Sequence, residues 1–513
     1  MLIQSGTGLI FVFASAVLSS AACIPNNLAT PAPRDPVAQV LARQNACPKN
    51  AIEFRDTLKR SGIRLEPTMV NFVGFHNPGP GAFFIFEIAS GGGDAPPSTT
   101  SIQRGDLLFG HFTTATNDRR LVPNTSGLVI ELIAWDTDKQ FYNFYELVNG
   151  TWFYRGDSKD ILDDIQLLHR QRNASENPFG QRPRLRCSGC HVNGGLLQKE
   201  LAAPHNDWFL QARNLPLGTL KPDPSVDAIL ADLVDAGELS KLVAASPRRL
   251  ADSAGYRRVL AARTMQERLR PLFCPVELNI ESDSEPFDDR KTVLRIPSAF
   301  FVNTRLATAD LSVQRQPYDA ALQKLNSRLP GTTPGRADAD HAWLTPVKAQ
   351  SDMVAVDALI EQGIVDKEFA ADVLAIDFTN PVFSKSRCDL LELVPASGGA
   401  NFVARFVDAL RGASIPGATE LFGNLTDPAR NAAFHAKQAL AFLSNCQKRA
   451  ADPVTVLDWF RLLAQRRAEV GASEISKHPQ GHILEDPGRI VFPSIQPPAA
   501  AGRLALTHAC QVQ

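Results

Sequence analysis

The chain has 513 residues, with 53 Lys and Arg against 54 Asp and Glu and a net charge of −1. Its 44% hydrophobic and 21% charged residues are the balance of a soluble globular protein, long enough for two or three domains. A charge so near zero gives no basis for a nucleic-acid or membrane-surface binder working by bulk electrostatics.

Residues Leu9 to Leu18 form an apolar run too short to span a bilayer, followed by Ser19-Ser20-Ala21-Ala22. That pattern predicts an export signal over 1–22, although no Lys or Arg precedes Arg34. Cleavage after Ala22 leaves Cys23 where a lipid-modified cysteine stands, which would tether the protein to a membrane. The competing reading is an ordinary exported chain. The expected location is the periplasm, free or anchored at the outer membrane.

Pro25 to Ala38 is rich in Pro and Ala, so residues 23–50 read as an extended tether. A β-rich module is expected over 51–157, opened by a short helix at 51–61. Strand-like runs follow at Phe83 to Ile88, Leu107 to Phe112, Leu128 to Trp135 and Phe141 to Val148. Asn149-Gly150 then turns the chain into Thr151 to Tyr154, and Asn-Gly between aromatic-rich runs is a strong hairpin signal.

Ser158 to Gln171 carries Ile161, Leu162, Ile165 and Leu168 at helical spacing, with Ser158 as a cap. It opens a segment spanning 158–215. Beyond it the pattern is mostly helical, in two regions at 216–345 and 346–513. Helices are expected over 226–245, 249–269, 318–329, 353–376, 401–410, 428–449 and 455–467, interrupted by a strand-like stretch at 293–302. The tail from Gly488 is Pro-rich, and Cys510 would pin it. The fold class expected is α+β, with an N-terminal antiparallel β module, a central segment and a large helical C-terminal region.

The central segment holds Cys187-Ser188-Gly189-Cys190-His191 in a chain with only eight cysteines. Two thiols separated by two small residues can add across the two vinyl groups on one porphyrin edge. The next imidazole then points at the iron, which is the requirement for covalent haem. Zinc would need a second ligand pair, and His191 with His205 matches no common finger spacing. A thioredoxin-like dithiol would need a strand-to-helix setting that an Arg-rich loop does not supply. The remaining cysteines, Cys47, Cys274, Cys388, Cys446 and Cys510, are disulfide candidates, and adding Cys23 makes an even number.

Through Cys187, Cys190 and His191 the sequence resembles the c-type cytochromes. The stretch CSGCHVNGGLLQKELAAPHNDW resembles large uncharacterised bacterial proteins with a cytochrome c domain. A weaker similarity is to small β-rich periplasmic cytochromes with a lysine cross-link to haem, whose lysine has no matching position here. The resemblance implies one haem c, thioether-bonded to Cys187 and Cys190, with His191 as proximal iron ligand. It also implies electron transfer with a redox partner protein. The alternative is a haem enzyme with an open iron position acting on a small molecule.

The sixth iron ligand separates these two, because carriers usually fill that position with Met or His. Apart from Met1, the chain holds only Met69, Met265 and Met353. Met265 and His205 are the candidates; His111 and His169 read as surface or core residues. Five arginines precede the motif (Arg170, Arg172, Arg182, Arg184 and Arg186), and Arg184 and Arg186 are best placed to pair with haem propionates. Trp208 and Phe209 are candidates to wall the porphyrin. The acidic run Asp283, Glu285, Asp288 and Asp289 fits no EF-hand and reads as a solvated loop.

Overall fold

The computed structural model describes residues 23–71, 83–91, 102–112, 129–163, 191, 193–196, 237–274, 278–281, 292–296, 298–324, 345–348, 350–381, 384–459, 461–462 and 506–512. Residues 1–22, expected to be an export signal, most of 158–215, the acidic run at 283–289 and most of the C-terminal tail lie outside them. An N-terminal antiparallel sheet followed by a helical C-terminal region makes the fold α+β.

Six strands pair in sequence order: β1 (Ile63–Asn71), β2 (Phe83–Gly91), β3 (Leu107–Phe112), β4 (Val129–Asp136), β5 (Phe141–Val148) and β6 (Thr151–Asp157). Side chains alternate across the pleat, and here both faces are covered. Ala89, Leu107, Phe109, Ile130, Leu132, Ala134, Tyr145 and Leu147 face one core, whereas Ile88, Leu108, Trp135, Tyr142 and Phe144 face a second. Double coverage explains why β5 is buried at seven successive positions and reads as a largely apolar and aromatic run, broken by Asn143 and Glu146. Its one acid there, Glu146, pairs with the buried Arg155 of β6 at 2.7 Å.

Residues 23–50 are not the extended tether that their composition suggested. Asp35 caps α1 (Pro36–Leu41) by accepting from the amides of Val37 and Ala38, and Pro36 starts the helix where its missing N–H costs nothing. Val37, Val40 and Leu41 are buried against the first face of the sheet, beside Phe54 and Leu58 of α2 (Ala51–Arg60). Upstream, the backbone of Asn26 bonds to Trp152 and Tyr154 on β6. Cys23 and Cys47 close a disulfide around the segment. A Pro-rich composition favours a linker only while nothing apolar recurs, and here the helix carries a buried stripe.

The second face is covered by α3 (Gly237–Ala251) and α4 (Ala254–Ala261). Arg249 fixes α3 there. Its guanidinium bonds to Asp106 at 2.5 Å and lies 4.2 Å from the ring centroid of Trp135. Arg104 reaches both Glu66 of β1 and Glu238 of α3.

The helical region begins with α5 (Met265–Phe273). Strand β7 (Leu278–Glu281) pairs with β10 (Thr345–Lys348), and β8 (Val293–Ile296) with β9 (Leu311–Gln314), from which α6 (Arg315–Lys324) follows. Then come α7 (Gln350–Glu361), α8 (Lys367–Leu374), α9 (Lys385–Asp389), α10 (Phe402–Leu410), α11 (Ala418–Thr426) and α12 (Ala432–Arg449). Two expected helices are broken by caps inside their periodic runs. Ser253 and Thr264 each accept from a backbone amide and divide 249–269 between α3, α4 and α5. Asp366 does the same for 353–376. Helix α11 was not expected at all. Helices α5, α7, α8, α10, α11 and α12 share one core with β8 and β9, and it holds Met265, Phe301, Phe406, Phe442 and Trp459.

Two further disulfides, Cys274–Cys388 and Cys446–Cys510, lie in this region. The second pins the end of the tail, as expected. Among the described residues no helix is long and apolar enough to cross a membrane.

Candidate functional site

Of the residues singled out in the sequence, His191 lies within the described structure, on a short loop with Asn193 to Leu196. Cys187, Cys190, Arg184, Arg186, His205, His169, Trp208 and Phe209 lie outside it. His111 is on β3, opposite Ile85 and Ile130.

The loop is a tight turn built by its own sequence. The His191 carbonyl accepts from the Gly194 amide at 2.7 Å, and the Asn193 side-chain oxygen accepts from the Gly195 amide at 2.7 Å. Gly194 has φ +75°, a left-handed conformation, and a Cβ there would stand 3.0 Å from the Ser158 carbonyl oxygen. Both conditions require glycine.

His191 closes the turn with a bond between its Nδ1 and the Gly195 carbonyl at 2.8 Å. A carbonyl oxygen only accepts, so Nδ1 carries a proton, and in the neutral ring Nε2 then holds the lone pair. This is the tautomer an iron-binding imidazole needs, and a backbone carbonyl behind the ring both orients it and raises its basicity. The ring packs against Phe144 of β5 at 5.2 Å between centroids.

Two serines tie the loop to the scaffold. The Ser158 hydroxyl donates to the Gly194 carbonyl at 2.6 Å and accepts from the Tyr142 amide at 2.9 Å. Ser246 of α3 accepts from the Leu196 amide at 2.9 Å, and Leu196 is buried in the core between sheet and α3. Ser158 is therefore not the helix cap that the sequence suggested. Asp157 takes that role, accepting from the amides of Lys159 and Asp160. With its hydroxyl released from capping, Ser158 is available to the loop.

Met265 is not brought to His191. It is 3% exposed within the C-terminal core, and its sulfur lies so close over Gly398 that a Cβ there would stand 3.1 Å away. The helical repeat is the reason: on α5, Met265 shares a face with Leu269, Leu272 and Phe273, all buried in that core.

Bridges Cys23–Cys47, Cys274–Cys388 and Cys446–Cys510 use six of the eight cysteines and leave Cys187 and Cys190 outside them. The sulfur of Cys23 that lipid modification would alkylate is bonded to Cys47. Among the described residues, no cluster of three His, Cys, Asp or Glu side chains is arranged to hold a metal ion.

The residues present fit a covalently held haem. The imidazole that follows the thiol pair has its distant nitrogen protonated and held, and one aromatic ring beside it. Ser158, Asn193 and Ser246 were missed as site residues by sequence reasoning; only the turn residues Asn193-Gly194-Gly195 carried a local signal. No family model matches the chain, and no curated protein or solved structure matches it either.

Proposed function

We propose that this chain is an exported monohaem c-type cytochrome that transfers electrons. Haem c would be bonded to Cys187 and Cys190, with His191 Nε2 as proximal iron ligand. The observation that carries the reading is the Nδ1–H bond from His191 to the Gly195 carbonyl, directly after a Cys-x-x-Cys pair. Haem, when bound, supplies an iron that cycles between two oxidation states. The chain's own residues do the rest. Gly195 holds the imidazole in one orientation, Ser158 and Ser246 hold the loop, and Phe144 shields one side of the ring.

The cysteine pairing supports this reading over zinc, because a Cys187–Cys190 zinc site would find its usual partner thiols already closed in disulfides. Three disulfides also suit an oxidising compartment, here the periplasm. With Cys23 in a bridge, the exported chain is read as lacking a lipid tether. Arg184 and Arg186 remain the proposed propionate partners, and a redox protein the proposed partner.

One observation favours the alternative of a haem enzyme with an open iron position. Met265 is spent on core packing, which leaves His205 as the remaining sequence candidate for the sixth ligand. An absorption spectrum of the exported protein, oxidised and reduced, with and without carbon monoxide, separates the two. A low-spin reduced spectrum indifferent to the gas identifies a carrier; a high-spin spectrum that shifts with it identifies the enzyme. Absence of covalent haem absorbance, with the maturation machinery present, overturns both.

A further inference from the structure

A small cleft of about 80 Å³ lies between α3, α4, α5 and α7 and reaches the loop that carries His191. Its walls are largely apolar, with Leu162, Leu250, Val259 and Val354 among them. Such a lining suits part of a small molecule, provided a few polar groups converge on it. Three do.

Asn193 is on the wall, and its orientation is fixed because its oxygen accepts from Gly195. The amide nitrogen that remains, Nδ2, is buried without a hydrogen-bond partner. A buried donor left unpaired is costly, so an acceptor from outside the chain would relieve it. Tyr256 lines the cleft from α4, and burial, with Asp352 nearby, pushes its phenol up to about 12. At neutral pH its hydroxyl is therefore a donor. Arg268 lines it from α5, held by bonds from Nε to the Arg263 carbonyl at 3.1 Å and from Nη2 to the Ala261 carbonyl at 2.8 Å. No carboxylate pairs with Arg268 among the described residues, whereas the neighbouring Arg263 is paired with Asp163 and Glu267 closes the capping box at Thr264.

We propose that the cleft binds a carboxylate carried on an apolar body. Arg268 meets its charge, Asn193 and Tyr256 donate to its oxygens, and the leucine and valine walls take the body. Of the two carboxylates on the wall, Asp352 is buried on the α7 side and Glu267 is held by the capping box at Thr264, which leaves Arg268 to meet the anionic end of the ligand. Two sources share this chemistry: a propionate on the haem itself, or a free small organic acid. The first source rests on the haem reading; the second does not.

The test is calorimetric titration of the full-length chain with 3-phenylpropionate. It is run on the haem-loaded protein and on the Cys187→Ala, Cys190→Ala chain, which carries no covalent haem. The haem-free chain is expected to bind the probe. Arg268→Gln should weaken binding about tenfold to a hundredfold, the worth of a charge-assisted bond, and Arg268→Lys should keep most of it. Tyr256→Phe should weaken it less than Arg268→Gln does. If a propionate fills the cleft, the loaded protein refuses the probe and Arg268→Gln shifts its midpoint potential. If a free acid is the ligand, the loaded protein binds the probe and its potential is unmoved. A haem-free chain with a folded circular dichroism spectrum that takes up no probe, or binds it equally well as Arg268→Gln, overturns the proposal. Failure of the haem reading shows separately, as missing covalent haem absorbance in the wild-type chain.

Discussion

Replacing Ser158 by alanine removes a single oxygen from a residue that is fully buried. That oxygen joins three elements that are remote in sequence: it donates to the Gly194 carbonyl at 2.6 Å, accepts from the Tyr142 amide at 2.9 Å, and belongs to the chain leaving β6. A buried polar group that loses its partner costs about 1–3 kcal/mol. Two groups lose one here, so Ser158→Ala should destabilise the protein by about 2–4 kcal/mol, the relaxation of the loop offsetting part of the sum. Ser246→Ala releases the Leu196 amide and removes a hydrogen-bond partner of the buried Tyr142 hydroxyl, and should cost about 1–3 kcal/mol. Both serines hold the same short loop, so the double variant should cost less than the sum of the singles. Guanidinium unfolding followed by far-UV circular dichroism measures all three, with an unchanged slope as the check that only stability has moved. If the proposed haem is bound, its visible spectrum should respond as well, because the Gly195 carbonyl that orients His191 sits in this loop. A cost under about 0.5 kcal/mol for Ser158→Ala, with strict additivity and an unmoved spectrum, would refute the claim that the two serines position the imidazole.

Two other outcomes follow from the same structure. Burial raises the Asp35 carboxyl from 3.8 to about 6, against hydrogen bonds from Tyr145, Ala38 and Asn143 that lower it. The folded state therefore holds this proton more tightly than the unfolded one. Its contribution is fully present below pH 4 and is lost as pH rises through about 6, by about 3 kcal/mol. Asp35→Asn should flatten the stability profile between pH 4 and 7, and an unchanged slope in pH-dependent unfolding counts against the assignment. Cys446 and Cys510 close a loop across 64 positions, so replacing both with alanine should cost about 4 kcal/mol by the chain-entropy estimate. It should also make residues 506–512 exchange amide hydrogens faster, and a tail that stays protected would show that packing, not the bridge, holds it.

Much of the fold is visible in short stretches of sequence. The runs at 83–88, 107–112, 128–135 and 141–148 lie on β2 to β5 almost residue for residue, and Asn149-Gly150 is a turn with positive φ at both positions. Strand and hairpin signals are local, set by alternation and by the few residues that tolerate left-handed backbone. The interiors of the longer helices were legible too, but α1, α9 and α11 were not expected and helix ends were not legible. Ser253, Thr264 and Asp366 cap helices in the middle of continuous periodic patterns, and a cap takes effect only where the chain has room to change direction. The Cys-x-x-Cys-His pattern is visible for a similar reason, since it is a matter of spacing along the chain alone.

The site's surroundings were not. Ser158 looks like a helix cap and Ser246 like any polar helix residue; neither announces that it bonds a loop that is 36 or 50 positions away. Arg268 and Tyr256 have no pattern that marks a cleft. Met265 stands at a plausible separation from His191, yet the face it occupies on α5 points it into another core.

The sequence by itself therefore determined the strand and helix runs, the order of the two regions and the thiol–imidazole pattern. All of these follow from neighbouring residues along one chain. Tertiary structure alone decided that residues 23–50 pack as part of the β module, which cysteines pair, which tautomer His191 takes and that Met265 is core. Each of those depends on which surfaces come to face one another, and burial, hydrogen-bond satisfaction and packing are properties of both surfaces at once.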